Sequence, residues 1–392
     1  MFWPLQENVL GKRDIEGLVR FVRTTERFTQ SSKVREFEEA WSKWQGCKHS
    51  LYVNSGSSAN LLLMNTAKEL YGWSDGDEVI VPAVTWVTNI SPVIQCGLKP
   101  VFVDINLDDF SFDYDALTSH LTPRTRAIFV THLIGFPADL ARIRAIIGQR
   151  PIQVLEDCCE SYGATVGGRK VGNFGAGSSF SFYWGHHMTT VEGGMVSTDD
   201  EDVYKLARIK RSHGLARELP AEDHEQLRKL HPDIDFNFLF LTDGFNFRNS
   251  ELYAVLGLSQ LKRLDKYNSI RNRNHRRFIS LIKPYRDRLR VPDHKGLCSF
   301  CLPFLCHDRE DKKALQRLLS ESGIETRPII SGNLMRQPFL QAYRGNERFP
   351  NADLVHTNGF YIGNNQFVGE KRLKKLQGLL KVFFASRRAA RA

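Results

Sequence analysis

Four short, β-branched and almost wholly apolar runs, Asp77 to Val84, Pro100 to Ile105, Arg126 to Leu133 and Ile152 to Asp157, are separated by stretches long enough to hold a helix. Runs of this kind read as strands buried on both faces. Ala59 to Leu70 and Ala138 to Ile147 carry helical spacing between them. The alternation predicts an α/β fold whose mostly parallel central sheet is covered by helices. Right-handed crossovers then gather the carboxyl ends of the strands on one rim, where ligands bind.

Beyond this region Ser250 to Lys283 is a long helical pattern with few breakers, suited to joining two domains. A strand (Cys298 to Leu305), a helix (Asp311 to Ser322) and a terminal helix (Lys371 to Phe384) then predict a smaller C-terminal α+β domain. A chain of 392 residues accommodates two domains. The expected division is a large domain over 1–255, including the N-terminal segment, and a linking helix with the small domain over 256–392.

Lys and Arg number 54 against 44 Asp and Glu, a net charge of +10. The excess lies on Lys262, Arg263, Lys266, Arg271, Arg273, Arg276, Arg277 and Lys283. It recurs on Lys371, Arg372, Lys374, Lys375, Arg387, Arg388 and Arg391 in the tail. No nucleic-acid-binding motif accompanies these runs, so they read as solvated helix faces rather than a polyanion site. No stretch approaches the ~18 apolar residues of a membrane span. The N-terminal residues lack the layout of a secretory signal. Seven cysteines do not make a disulfide framework in a chain this long. These features imply no membrane partner and a cytoplasmic location.

Asn54-Ser55-Gly56-Ser57-Ser58-Ala59-Asn60 lies between a strand (Ser50 to Val53) and a helix. Small residues at a helix N-terminus present free N–H groups to an anion, so the run reads as a phosphate cradle or as an ordinary serine cap. Leu155-Glu156-Asp157-Cys158-Cys159-Glu160 sets acids at a strand end. There an aspartate can hold a heterocyclic nitrogen protonated, or cap the following segment. Ser181-Phe182-Tyr183-Trp184-Gly185-His186-His187 follows another apolar run. On a strand, neighbouring side chains face opposite sides, so at most one of the two histidines is expected to enter a given site, as an acid/base group or else simply as a packed core residue. The spacing offers no zinc set, and no metal is expected. Cys298, Cys301 and Cys306 form half a cluster motif within a buried strand and read as structural thiols.

In this order, and with Gly244-Phe245-Asn246-Phe247-Arg248 downstream, these motifs resemble the sugar aminotransferase/dehydratase family of fold-type I enzymes that use pyridoxal 5′-phosphate (PLP). The resemblance runs from about residue 25 to 365. Aminotransferases of the family carry a lysine five positions after the serine of the S-F motif, and that lysine anchors the cofactor covalently. Here the position is His186. Together with Arg211-Ser212-His213-Gly214 and Arg327 to Pro338, this resembles the 3-dehydratase branch. A sister dehydratase also ligates an iron–sulfur cluster through four cysteines. Cys159 falls at the first position, but Leu215 to Lys229 contains no cysteine, so no cluster is expected.

The resemblance implies PLP, and its amine form pyridoxamine 5′-phosphate (PMP), held non-covalently. It assigns Asp157 to the pyridinium nitrogen and Trp86 to the ring face. Gly56, Ser57 and Ser181 fall to the phosphate, Glu160 to the neighbourhood of the ring hydroxyl, and His186 to catalysis. Asn246 would reach the phosphate of a second subunit, implying a homodimer with shared sites. Tyr183, Arg248, Arg327 and Arg336 are candidate contacts to substrate anions. The implied activity is removal of the C3 hydroxyl of a nucleotide-linked 4-keto-6-deoxyhexose, GDP-linked in this branch, with L-glutamate as amino donor. The product would lead to a colitose-type 3,6-dideoxysugar. The competing readings are a PLP aminotransferase using another lysine, such as Lys170, and a PLP-fold binding protein without turnover.

Overall fold

The protein is described by a computed structural model covering residues 2–389. Arg391 and the side chain of Arg388 lie outside the described residues. Seven strands form the main sheet: β1 (His49–Val53), β2 (Glu78–Pro82), β3 (Lys99–Val103), β4 (Thr125–Thr131), β5 (Gln153–Asp157), β6 (Gly177–Ser181) and β7 (Gly194–Thr198). Their order is β1-β7-β6-β5-β4-β2-β3. Every pairing from β6 to β3 is parallel, and only β7 runs against its neighbours. The carboxyl ends of β1, β2, β4, β5 and β6 therefore share one rim.

The four apolar runs became β2 to β5, each within a few residues of the expected bounds. Helices cover both faces. Gly56–Leu70 packs on β6 and β7, burying Leu62, Leu63, Met64 and Ala67 with Val79, Val81 and Phe129. Leu140–Ile147 covers the other face with Ile128, Val130 and Val154. Burial of these side chains is the main force holding the layers together, at about 1.5–3 kcal/mol per large apolar residue.

The 32-residue helix Glu251–Ile282 links two cores. Ala254 and Leu264 pack with Phe37, Trp41 and Phe182 beside the main sheet. Phe278, Leu281 and Ile282 pack with Phe304 and Phe360 of a four-stranded antiparallel sheet near the C-terminus. Arg271, counted from the sequence with a solvated basic face, is instead 1% exposed and donates to the carbonyls of Phe300 and Asn364. Helical periodicity turns position 271 inward, where backbone carbonyls accept its charge-bearing N–H groups. Arg263 is likewise tied, to the buried Asp14. Trp3 belongs to the small sheet's core and bridges Ile324.

One local expectation is overturned. The strand carrying the S-F motif ends at Ser181, and Tyr183 to His187 is bend and turn. Alternation along a strand therefore does not separate His186 from His187.

Candidate active site

Five strand ends on the common rim open into a cavity of about 600 Å³. Ser55, Gly56 and Ser57 line it from the end of β1, and Trp86 and Thr88 from the segment after β2. Thr131 and His132 come from β4, Asp157, Cys159 and Glu160 from β5, and Ser181, Tyr183 and His186 from β6. Phe300, Cys301, Arg327 and Tyr361 of the small sheet close the opposite wall, with Leu5 and Gln6 from the N-terminal segment.

The helix Gly56–Leu70 starts here because Ser55 is extended and its hydroxyl accepts the Ser58 N–H at 3.0 Å. Gly56 and Ser57 are its first residues, whose amides have no intrahelical acceptor and suit an anion. A β-carbon at Gly56 would lie 2.8 Å from Ser181 Oγ, so glycine is required for this close approach. The run is a serine-capped helix start whose first amides remain free for an anion.

Asp157 ends β5 and is 5% exposed. Its carboxylate accepts from Asn60 Nδ2 at 2.9 Å and from the Cys159 amide at 2.9 Å. Asn60 is itself fixed by Ser179 and by Thr88, the latter at 3.2 Å. One carboxylate oxygen thus stays held by the helix while the aspartate faces the cavity. Glu160 accepts the Ile134 N–H at 2.9 Å. Burial, helped by the Asp157 charge, pushes its carboxyl up to about 8 against that hydrogen bond. Trp86 is 56% exposed and offers a broad apolar face to the cavity.

His186 lies between Tyr183 and Phe300, with ring centroids 6.4 and 5.7 Å away. Burial, reinforced by the Arg271 guanidinium, brings its imidazole down to about 4, so it is neutral at pH 7. Its Nδ1 is buried without a hydrogen-bond partner. His187 is fully buried against Tyr162 and does not line the cavity. Both rings lie near Tyr162 and Phe300, but only His186 lines the cavity. Among the described residues no lysine lines the cavity. Lys170 sits on a separate hairpin, bonded to the Trp44 carbonyl and over the Trp44 ring.

The remaining candidates divide. Arg327 reaches the cavity wall, and Arg336 pairs with Asp353 at 2.8 Å outside it. Asn246 and Arg248 lie together, Arg248 Nε donating to Asn246 Oδ1 at 3.1 Å. They line a second cavity with Arg27 and Arg217 rather than the one holding Asp157.

Several residues in and behind the cavity wall escaped sequence reasoning, among them Asn60, fully buried beside Asp157. Asn60 had a signal: four positions after Gly56, it lies on the same helix face. His132 had none. Its Nδ1 accepts the Ala138 N–H at 3.1 Å, so its Nε2 carries the proton toward Glu156 at 3.1 Å. Glu156 also accepts amides of Gly172, Phe174 and Gly175. His132, Glu156 and Cys158 bring potential ligand atoms within 4.8 Å, but the imidazole and carboxylate are already engaged. Phe300, Tyr361 and Gln6 come from distant segments with no local motif.

A family profile, the DegT/DnrJ/EryC1/StrS aminotransferase family, matches residues 10–376. The chain is 33% identical to a GDP-4-keto-6-deoxy-D-mannose 3-dehydratase of Yersinia pseudotuberculosis, over 97% of this chain and 98% of that protein. A crystal structure of GDP-4-keto-6-deoxymannose-3-dehydratase, a histidine-to-asparagine variant with bound GDP-perosamine, superposes with a TM-score of 0.90. It is 32% identical and covers 96% of this chain and 100% of that one. Another structure of such an enzyme, with a trapped PLP-glutamate geminal diamine, gives 0.89 at 31% identity, over 96% and 100% of the two chains.

Proposed function

This chain belongs to the DegT/DnrJ/EryC1/StrS aminotransferase family, and from that membership we propose that it is a PLP/PMP-dependent 3-dehydratase acting on GDP-4-keto-6-deoxy-D-mannose. L-Glutamate is the amino donor. The observation that carries the reading is His186 in the cavity, where no lysine is found among the described lining residues. The substrate assignment is supported by a relative that covers nearly the whole chain and bears that name.

The residues fit the cofactor. When bound, PLP or PMP supplies an electron sink conjugated to the reacting carbon. Asp157, buried and held by Asn60, is the partner for a protonated ring nitrogen. Trp86 would cover one ring face, and Gly56, Ser57 and Ser181, which line the cavity at the helix N-terminus, would receive the phosphate. Glu160, on the same wall, would lie by the ring hydroxyl. An imidazole makes no covalent link to the aldehyde, so the cofactor is free to carry the amino group.

His186 moves the proton. With the cofactor and sugar bound, the neutral imidazole would take a proton from the carbon beside the ring and hand it to the departing C3 hydroxyl of the sugar. Overall, C3 loses its hydroxyl and gains hydrogen. The two electrons come from glutamate, which ends as 2-oxoglutarate and ammonia, and the water released at C3 balances the water used to free the ammonia. The 3-deoxy ketone leads toward a colitose-type 3,6-dideoxysugar.

The enzyme works as a homodimer with shared sites. Asn246 lies outside the Asp157 cavity of its own chain, and the exposed Phe238 and Phe240 are apolar surface that a second copy would cover. It acts in the cytoplasm, in keeping with seven free cysteines. No helix of the described residues is long and apolar enough to cross a membrane.

The test is incubation with GDP- and CDP-linked 4-keto-6-deoxyhexoses plus glutamate, following 2-oxoglutarate and ammonia. Release with the GDP sugar, abolished by His186→Asn, is expected. Transfer of nitrogen onto the sugar without loss of the C3 oxygen would overturn the assignment.

A further inference from the structure

The N-terminal residues form a strap that runs from the small sheet to the turn bearing His186. Trp3 anchors it: the indole is fully buried and donates to the Gly363 carbonyl at 3.0 Å. The Trp3 amide donates to Gly323 at 2.8 Å, and its carbonyl accepts from Glu325 at 2.9 Å. The Leu5 amide donates to Glu325 Oε2 at 3.0 Å, and Glu7 pairs with Arg372. A β-carbon at Gly363 would collide with the carbonyls of Pro4 and Leu5, so a glycine there gives the strap its passage.

Gln6 stands at the free side of this strap, on the cavity wall. Its amide nitrogen is 3.3 Å from the Trp184 carbonyl and 3.5 Å from the His186 carbonyl, spanning Gly185. The turn needs such support. Backbone pairing ends at Phe182, which bonds Gly193 and Thr190, and the His186 amide holds only to Tyr183, at 3.1 Å. A primary amide is suited to the task because its nitrogen has two hydrogens to give and both neighbours are acceptors.

We infer that Gln6 is a positioning residue for His186, donating to the carbonyls on either side of Gly185 so that a strap fixed on the small sheet sets the place of the imidazole. The inference rests on His186 being the proton-transfer group. Misplacement of a reacting group by about 1 Å costs on the order of 100-fold in rate.

The experiment compares wild type, Gln6→Ala, Gln6→Glu and His186→Asn as purified holoenzymes. Both Gln6 variants should lose about 10- to 100-fold in kcat, with little change in KM for the nucleotide sugar or in melting temperature. Glutamate at position 6 matches glutamine in shape but offers the two carbonyls only acceptors, so it should be no better than alanine. Amide hydrogen exchange over residues 184–187 should quicken in both. Retained activity in Gln6→Glu would make the side chain mere packing, and a raised KM with kcat intact would make it a substrate contact. Unchanged exchange would also overturn the inference. An active His186→Asn would instead defeat the underlying functional reading.

Discussion

Asn60 donates its side-chain amide to Asp157 at 2.9 Å, joining the helix that begins the phosphate cradle to the strand end that carries the buried acid. Two motifs almost a hundred residues apart are thereby one unit. Asn60→Ala leaves Asp157 one donor short in a buried position, at a cost of about 1–3 kcal/mol for the orphaned group. The expected outcome is weaker cofactor affinity, by about 10-fold or more, read by fluorescence titration of the cofactor-free protein. Unaltered affinity would mean that the Cys159 amide alone orients the acid.

Gly56→Ala tests the close approach to Ser181. Alanine would ordinarily strengthen a helix, but here its β-carbon has no room. The variant should melt lower, losing about 1–3 kcal/mol from overpacking, and bind PLP less tightly. A higher melting temperature would show that the cradle opens readily.

His186→Lys restores the residue type that tethers the cofactor. The variant should gain a visible absorbance band from covalently held PLP, removed by borohydride reduction followed by peptide mapping to position 186. Dehydration should fall. His187→Asn, outside the cavity, should keep most activity. Loss of activity there, with His186→Asn still active, would exchange the two roles.

Glu160 takes up its proton at about 8 in the folded protein, against an ordinary value of 4.5. Between those values the native state holds the extra proton, so stability falls as pH rises from about 4.5 to about 8. Glu160→Gln is neutral throughout. Its melting temperature should match wild type near the lower value and exceed it increasingly toward the upper. His186 acts in the opposite sense below 6.5, where the unfolded chain protonates first and stability drops with pH down to about 4. Melting curves at several pH values above 6.5 therefore isolate Glu160. An offset independent of pH would contradict its burial as a neutral acid.

Shared sites can be tested by mixing. His186→Asn and Asn246→Ala subunits, unfolded together and refolded, should regain activity that neither has alone, up to about a quarter of wild type for random pairing in a two-fold dimer. No regain from two inactive variants would place Asn246 in the site of its own subunit, and an active Asn246→Ala would place it outside catalysis.

The strand–helix alternation of residues 50–200 was legible because each element carries its own periodicity and breakers. The bounds of β2 to β5 follow directly from apolar runs. The two N-terminal helices, Lys12–Thr24 and Ser32–Gln45, were not foreseen. They are held by partners far along the chain, Asp14 by Arg263 and the Ser32–Gln45 N-terminus by Glu251. Arg271 shows the same limit, since a guanidinium reads as exposed until the carbonyls that receive it are known. In the site, Gly56, Ser57, Trp86, Asp157, Glu160, Ser181 and His186 do converge on one cavity, as does Arg327.

Amino-acid order alone determined the α/β layering and the strand-end positions of the acids, because these depend on spacing of a few residues, while the imidazole in place of the aminotransferases' lysine was implied by the family resemblance. Only the folded chain decided that a turn rather than a strand separates His186 from His187, that Asn246 faces a different cavity, and that the small sheet and Gln6 complete the wall. Those outcomes depend on which distant surfaces pack together, and packing is settled by the burial and hydrogen bonding of the whole molecule rather than by any local pattern.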